Sequence, residues 1–209
     1  MTTYAPSIIR KCASCDLHIQ EDVLASGHTS NARYWTDGKC EAPMLPDSHW
    51  LIACPHCDAL AWIDELEQAG TWDWYSGQPR LPVFADAREP DEPTLEQYLF
   101  VLARPGLGRD KERYARIRAW WASNDRRREG GERSALSPRE RANLERLVQL
   151  LDPASPSDRL MRAEILRELG RFTRALDELD SPLDEDFAEV ALRIRSLAAS
   201  CDPYVAEVG

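Results

Sequence analysis

Trp50-Leu-Ile-Ala-Cys-Pro-His-Cys-Asp-Ala-Leu-Ala-Trp-Ile63 decides how the first third of this chain folds. An apolar, strand-like stretch runs into Cys54, two residues separate it from Cys57, and a second apolar stretch leads away. Ser7-Ile-Ile-Arg-Lys-Cys-Ala-Ser-Cys-Asp-Leu-His-Ile19 repeats the plan around Cys12 and Cys15. A Cys-x-x-Cys turn lets two sulfurs face one ion while backbone N–H groups stabilise the thiolates. Two such turns supply the four sulfurs of a closed tetrahedral shell, the preference of structural zinc. We therefore expect one structural zinc per chain, on Cys12, Cys15, Cys54 and Cys57. Cys40 follows an Asp37-Gly38 turn and is expected to be a small packed residue or a free surface thiol. Cys201 extends the stripe Phe187, Val190, Ile194 and Leu197, which predicts a place in a helix core. The four histidines form no recognisable ligand set, and His56 is expected to point outward.

The two cysteine turns, each at the tip of an apolar hairpin, resemble those of a zinc ribbon over Ile8–Ile19 and Trp50–Ile63. The resemblance implies a small β-rich unit with the four ligands named above. Two departures stand out: 38 residues separate the pairs, and Asp58 occupies a place where Gly is common. The insert Asn31–Asp47 mixes aromatic, turn and proline residues, which suits a rigid loop laid against the ribbon. With the following Cys-Pro-His-Cys it resembles segments of bacterial zinc-ribbon proteins without an assigned activity. That likeness implies a bacterial source and adds no catalytic residue. Cys-Pro-His-Cys also resembles the active-site tetrapeptide of thioredoxin-fold oxidases, where Cys54 would be a low-pKa nucleophile. That alternative needs a helix after the motif, whereas Asp58–Ile63 reads as a strand.

Charge and composition bound the rest. Among 209 residues, 36 acids against 26 bases leave a net charge of −10. That balance opposes whole-protein attraction to nucleic acid or an anionic membrane. No apolar run approaches the ~20 residues of a membrane span, and the N-terminus lacks the apolar core of a secretory signal. A cytoplasmic setting with no membrane partner is expected, where thiols stay reduced. Five of the six cysteines precede residue 58. Between residues 76 and 93 lie Gly77, Pro79, Pro82, Pro90 and Pro93, which predicts an extended connector. The expected fold class is therefore α+β: a zinc-ribbon-like domain over 1–75, a proline-rich linker over 76–93, and an all-helical domain over 94–209.

Helical signals dominate after Pro93. Thr94 with Gln97, and Ser137-Pro-Arg-Glu140, read as capping boxes. Helices are expected over about 95–102, 109–123 (Tyr114, Ile117 and Trp121 on one face), 137–151, 157–169, 172–179 and 184–200. Leu166-Arg-Glu-Leu-Gly-Arg-Phe-Thr-Arg-Ala175 resembles the centre of a tetratricopeptide repeat, with Gly170, Phe172 and Ala175 in the marked places. Only one such hairpin is found, over about 157–180, whereas a solenoid needs about three repeats. The resemblance implies partner binding.

No phosphate-cradling Gly-rich loop, Gly-x-Ser-x-Gly elbow or His-Glu-x-x-His pair occurs. The leading expectation is a non-enzymatic interaction module, an adaptor or an antitoxin-like immunity protein, whose partner is another protein. Candidate contact residues are Tyr34, Trp35 and Trp50, since aromatic side chains anchor interfaces. Residues 104–133 hold 10 bases and 5 acids, so Arg109, Arg113, Arg116 and Trp120, with Arg126–Arg128, form a second candidate set. Arginine beside aromatics can grip single-stranded nucleic acid, which is the alternative function. A thiol-redox role for Cys54 and Cys57 is the second alternative.

Overall fold

The computed structural model describes residues 2–77, 79–128, 133–181 and 183–208. Ten short strands are found there: β1 (Thr3–Tyr4), β2 (Ser7–Lys11), β3 (His18–Glu21), β4 (Leu24–Ser26), β5 (Arg33–Trp35), β6 (Cys40–Glu41), β7 (Leu51–Ala53), β8 (Leu60–Trp62), β9 (Glu67–Trp72) and β10 (Glu207–Val208). The α-helices are α1 (Leu95–Leu102), α2 (Arg109–Asp125), α3 (Pro138–Leu150), α4 (Pro156–Glu168), α5 (Phe172–Leu179) and α6 (Ala188–Ala199). The class is α+β, with small antiparallel sheets N-terminal and helices C-terminal. Two compact units divide the chain: residues 1–32 with 42–93, and residues 33–41 with 94–209. No helix among the described residues is long and apolar enough to cross a membrane.

In the first unit β2 is the central strand. It pairs with β3, Ile8 opposite Glu21 and Lys11 opposite His18, and with β9, Ser7 opposite Trp72. β7 and β8 form a hairpin with Leu51 opposite Trp62 and Ala53 opposite Leu60. Ile19, Ile52 and Leu66 pack with Cys12 and Cys54 into a buried cluster.

The proline-rich segment is not the extended connector that its composition suggests. Pro82–Phe84 forms a single 3-10 turn, and Phe84 packs with Ile9 and Ala87. The strand β3 then receives this segment: Gln20 N–H donates to the Arg88 carbonyl at 2.7 Å. Ala53 of β7 exchanges two backbone hydrogen bonds with Asp91, at 2.9 and 3.0 Å. Residues 80–93 therefore tie together the two hairpins that carry the cysteines. A Cβ at Gly70 would stand 2.7 Å from the Phe84 ring. Gly70→Ala is accordingly expected to destabilise this unit by about 1–3 kcal/mol, read as a lower thermal midpoint.

In the second unit both capping boxes form. Thr94 and Gln97 satisfy each other's backbone N–H groups at the start of α1, as do Ser137 and Glu140 at α3. The main core joins Trp120, Leu144, Leu147, Leu151, Ile165 and Leu169. α4 ends at Glu168, Gly170 with a φ of 76° closes the turn into α5, and Ala175 is fully buried against Leu166 and Ala198. The hairpin β5–β6 belongs here, pairing with β10 through Trp35 opposite Glu207. So residues 33–41, the middle of the 31–47 insert, group with the helices instead of the cysteine hairpins.

The reason is the hairpin tip. Asp37 is fully buried, paired with Arg128 at 2.5 Å and accepting from Asn124 Nδ2 at 2.9 Å. The Trp121 indole donates to its carbonyl at 3.0 Å. Next to it, Thr36 bonds Glu164, which holds Arg167 at 2.7 Å in a fully buried ion pair. On α2, Arg118, Ser123 and Asn124 join Ala115, Ala119 and Trp120 as buried residues, while Ile117 packs against the main core from the edge.

Cys201 departs from its expected core place. α6 stops at Ala199, and Cys201 has φ 56° and is exposed, with Asp202 N–H donating back to the Leu197 carbonyl at 2.9 Å. The residue is the left-handed closure of the helix, so its apolar register ends one turn earlier.

Candidate metal centre

The two cysteine turns are built alike. Cys12 N–H donates to the Leu17 carbonyl and Cys54 N–H to the Ala59 carbonyl, each at 2.9 Å. Asp16 N–H returns to the Cys12 carbonyl at 3.0 Å, and Asp58 N–H to the Cys54 carbonyl at 2.9 Å. These bonds close each loop at the tip of its hairpin, β2–β3 for one and β7–β8 for the other. Inside the first loop the Ser14 N–H points at Cys12 Sγ, 3.4 Å away.

The turns bring all four sulfurs within 4.8 Å of one another. Cys12 Sγ lies 3.8 Å from Cys57 Sγ, and Cys15 Sγ 3.8 Å from Cys54 Sγ. These separations exceed an S–S bond of about 2.05 Å, and all four thiols are free. A metal–sulfur bond of about 2.3 Å sets the edge of a tetrahedron at about 3.8 Å. The spacing therefore fits one tetrahedrally bound ion.

Electrostatics point the same way. Four thiolates this close repel one another unless a cation sits among them. Burial pushes the Cys54 thiol up to about 12, the neighbouring Cys12 and Cys57 thiols acting in the same sense against the N–H groups of His56 and Cys57. For Cys12, burial is outweighed by the N–H groups of Ser14 and Cys15 and by the neighbouring thiols, which draw it down to about 7. One thiolate is thus ready to take a cation, whose charge would ionise the rest.

Sequence reasoning marked Asp58 only as a departure from Gly and passed over Asp16. Asp16 and Asp58 have φ of 61° and 57°, the left-handed conformation each loop needs to turn back. The repeated Cys-x-x-Cys-Asp was the available signal. A β-branched side chain has little access to that conformation, so Asp58→Val is expected to destabilise the loop by about 1–2 kcal/mol. Asp58→Gly is expected to be neutral or mildly stabilising. A chelator titration monitored by metal release orders the three forms.

His56 does not point outward: its Nε2 lies 3.1 Å from the His18 carbonyl, linking the two loops. His18 in turn meets Asp86 at 2.8 Å, and the His18 N–H and ring hold that carboxyl below its ordinary value. Cys40 is an exposed thiol on β6.

The candidate contact residues are scattered. Tyr34 and Trp50 are about half exposed, but Trp35 and Trp120 are buried. The guanidiniums of Arg33 and Arg128 each lie over the Trp35 ring system, and Trp120 donates through Nε1 to Glu168 at 3.1 Å. The arginines are engaged within their own unit. Arg109 reaches the Leu150 carbonyl, Arg113 pairs with Asp158, and Arg116 with Glu112. Arg126 and Arg127 share Glu140, and Arg128 holds Asp37. Comparison of the chain with family models, curated proteins and solved structures finds no match.

Proposed function

We propose that the chain is a zinc-stabilised protein-interaction module without catalytic chemistry, its cysteine unit a variant zinc ribbon. The observation that carries the reading is the tetrahedral spacing of four sulfurs on two matched turns. An all-sulfur tetrahedral set suits zinc, with a thiolate-bound iron centre as its rival, and leaves no open coordination position for catalysis. The zinc would supply fold stability to a unit whose aliphatic core is small. A redox role for Cys54 is disfavoured by its burial, which works against a thiolate nucleophile.

The interaction part rests on surface chemistry. Trp74, Tyr75, Leu81 and Val83 are each more than half exposed within one short stretch, and such side chains serve as interface anchors. The single hairpin α4–α5, with Gly170, Phe172 and Ala175 in their places, supports a tetratricopeptide-like element. Pairing of the Arg109–Arg128 segment with acids weighs against a nucleic-acid partner.

Native mass spectrometry should find one zinc ion per chain, lost on Cys12→Ser; iron in its place would replace the metal assignment. Crosslinking in the native host should place a partner protein against residues 74–83, and Tyr75→Ser should weaken that link. Co-purifying nucleic acid that survives physiological salt would instead favour the basic segment.

A further inference from the structure

Glu168 is the buried acid that the helical core leaves half used. It is 95% buried at the end of α4, and its Oε1 accepts from Trp120 Nε1 at 3.1 Å and from Asn124 Nδ2 at 3.0 Å. Its other oxygen, Oε2, has no hydrogen-bond partner among the described residues. Glu168 lines a pocket of about 200 Å³, walled by Leu136, Leu169, Phe172 and Tyr204. Ser134, also in the lining, has a buried hydroxyl with no partner among the described residues. Arg141 stands at the same pocket; it touches the Leu169 carbonyl at 3.4 Å and pairs with no carboxylate among the described residues.

The surrounding charges define what could enter. Glu164 and Arg167 flank Glu168 on α4, Asp37 approaches from the hairpin tip, Arg127 and Arg128 from the end of α2, and Glu140 and Arg141 from α3. Burial above all, with the Glu164 and Asp37 carboxylates and against Arg167, pushes the Glu168 carboxyl up to about 8. Near neutral pH it holds a proton. Because Oε1 already accepts two N–H bonds, that proton belongs on Oε2, where it can be donated. A donor hydroxyl, a guanidinium and two aromatic rings in one lining match an anionic planar acceptor.

We propose that this pocket binds a small planar carboxylate, whose oxygens take the Glu168 Oε2 hydrogen and the Arg141 guanidinium while its apolar body lies against Phe172 and Tyr204. The proposal concerns the helical unit and is independent of the metal centre.

The test is a titration of the full-length, ¹⁵N-labelled, zinc-loaded chain with benzoate. The Trp120 indole N–H, bonded to Glu168, is the direct reporter. It should shift saturably, with a dissociation constant of about 1 mM or below, as expected for so small a ligand. Arg141→Met, an exposed change, should weaken benzoate about 10-fold or more, and benzamidine, of like shape and opposite charge, should bind at least as much weaker. Affinity should hold up to about pH 8 and fall above it, as Glu168 loses the proton it donates. Glu168→Gln keeps a donor there, so it should retain binding and lose that pH dependence. If that variant fails to fold, Arg141→Met and benzamidine still decide. No shift up to about 20 mM benzoate, a shift indifferent to Arg141→Met, or equal binding of benzamidine would overturn the proposal.

Discussion

Removing the bound metal with a strong chelator, or replacing Cys12 by Ser, is expected to unfold residues 1–32 and 42–93 while the helical signal survives. The cluster that holds the two cysteine hairpins together contains only three buried aliphatic side chains, Ile19, Ile52 and Leu66. At about 1.5–3 kcal/mol each they contribute about 5–9 kcal/mol. Structural zinc on four thiolates contributes about 10–16 kcal/mol at neutral pH. The metal would therefore be the larger contribution, and the other two members of the cluster, Cys12 and Cys54, belong to the four-sulfur set that would hold it. Without it, four thiols face one another, and burial holds Cys54 in its thiol form. Every α-helix among the described residues lies after residue 94, so circular dichroism at 222 nm reports the other unit and should change little. The amide resonances of Ile9, Ile19 and Ile52 should collapse to random-coil positions on chelation and return with zinc. Metal-free protein that keeps those resonances dispersed would sink the assignment. Acid should act like the chelator, because protons compete for the thiolates that the ion requires.

The cysteine turns and the helices were legible because short-range rules govern them. Two Cys-x-x-Cys-Asp segments inside apolar strands, and the Ser137-Pro-Arg-Glu140 start, settle into structure through bonds within a few residues. What the sequence hid depends on distant partners. Asp37 reads as half of an ordinary turn; only the approach of Asn124 and Arg128 makes it the plug that carries β5–β6 into the helical unit. β10 is two residues long and exists because Tyr34 and Trp35 are there to pair with it. Tyr114, Ile117 and Trp121 share one face of α2 and are only partly buried, whereas its buried residues include Arg118, Ser123 and Asn124. Polar side chains are buried when their partners arrive with them, and periodicity carries no record of that arrangement. The same blindness put Arg126–Arg128 in a candidate contact set, when Arg127 and Arg128 are almost wholly buried on Glu140 and Asp37.

Arg167→Met is expected to cost the helical unit about 3–5 kcal/mol, because it strands Glu164 as an unpaired buried carboxylate. Both side chains of that pair are fully buried, and Arg167 also donates to the Asp202 carbonyl. Against a typical domain stability of about 5–15 kcal/mol the loss is large, and urea unfolding followed at 222 nm should show it as a lower midpoint. Glu164→Gln combined with Arg167→Met removes the stranded charge, so the double variant should recover about 1–3 kcal/mol of the sum of single losses. Two titrating neighbours give the unit a characteristic pH profile. Glu168, pushed by burial from an ordinary 4.5 to about 8, holds a proton in the folded state that the unfolded chain has released. Stability must then decline as pH rises from about 4.5 to about 8 and level off beyond. Glu140 works in reverse: burial opposes, but Ser123, Ser137 and Arg127 together pull its carboxyl down to about 2. Its contribution is present above about 4.5 and is lost as pH falls toward 2. The helical unit should therefore be most stable in mildly acidic solution, with Glu168→Gln flattening the alkaline limb and Glu140→Gln the acid one. Thermal midpoints at 222 nm that climb steadily from pH 5 to pH 8 would contradict the burial of a protonated Glu168.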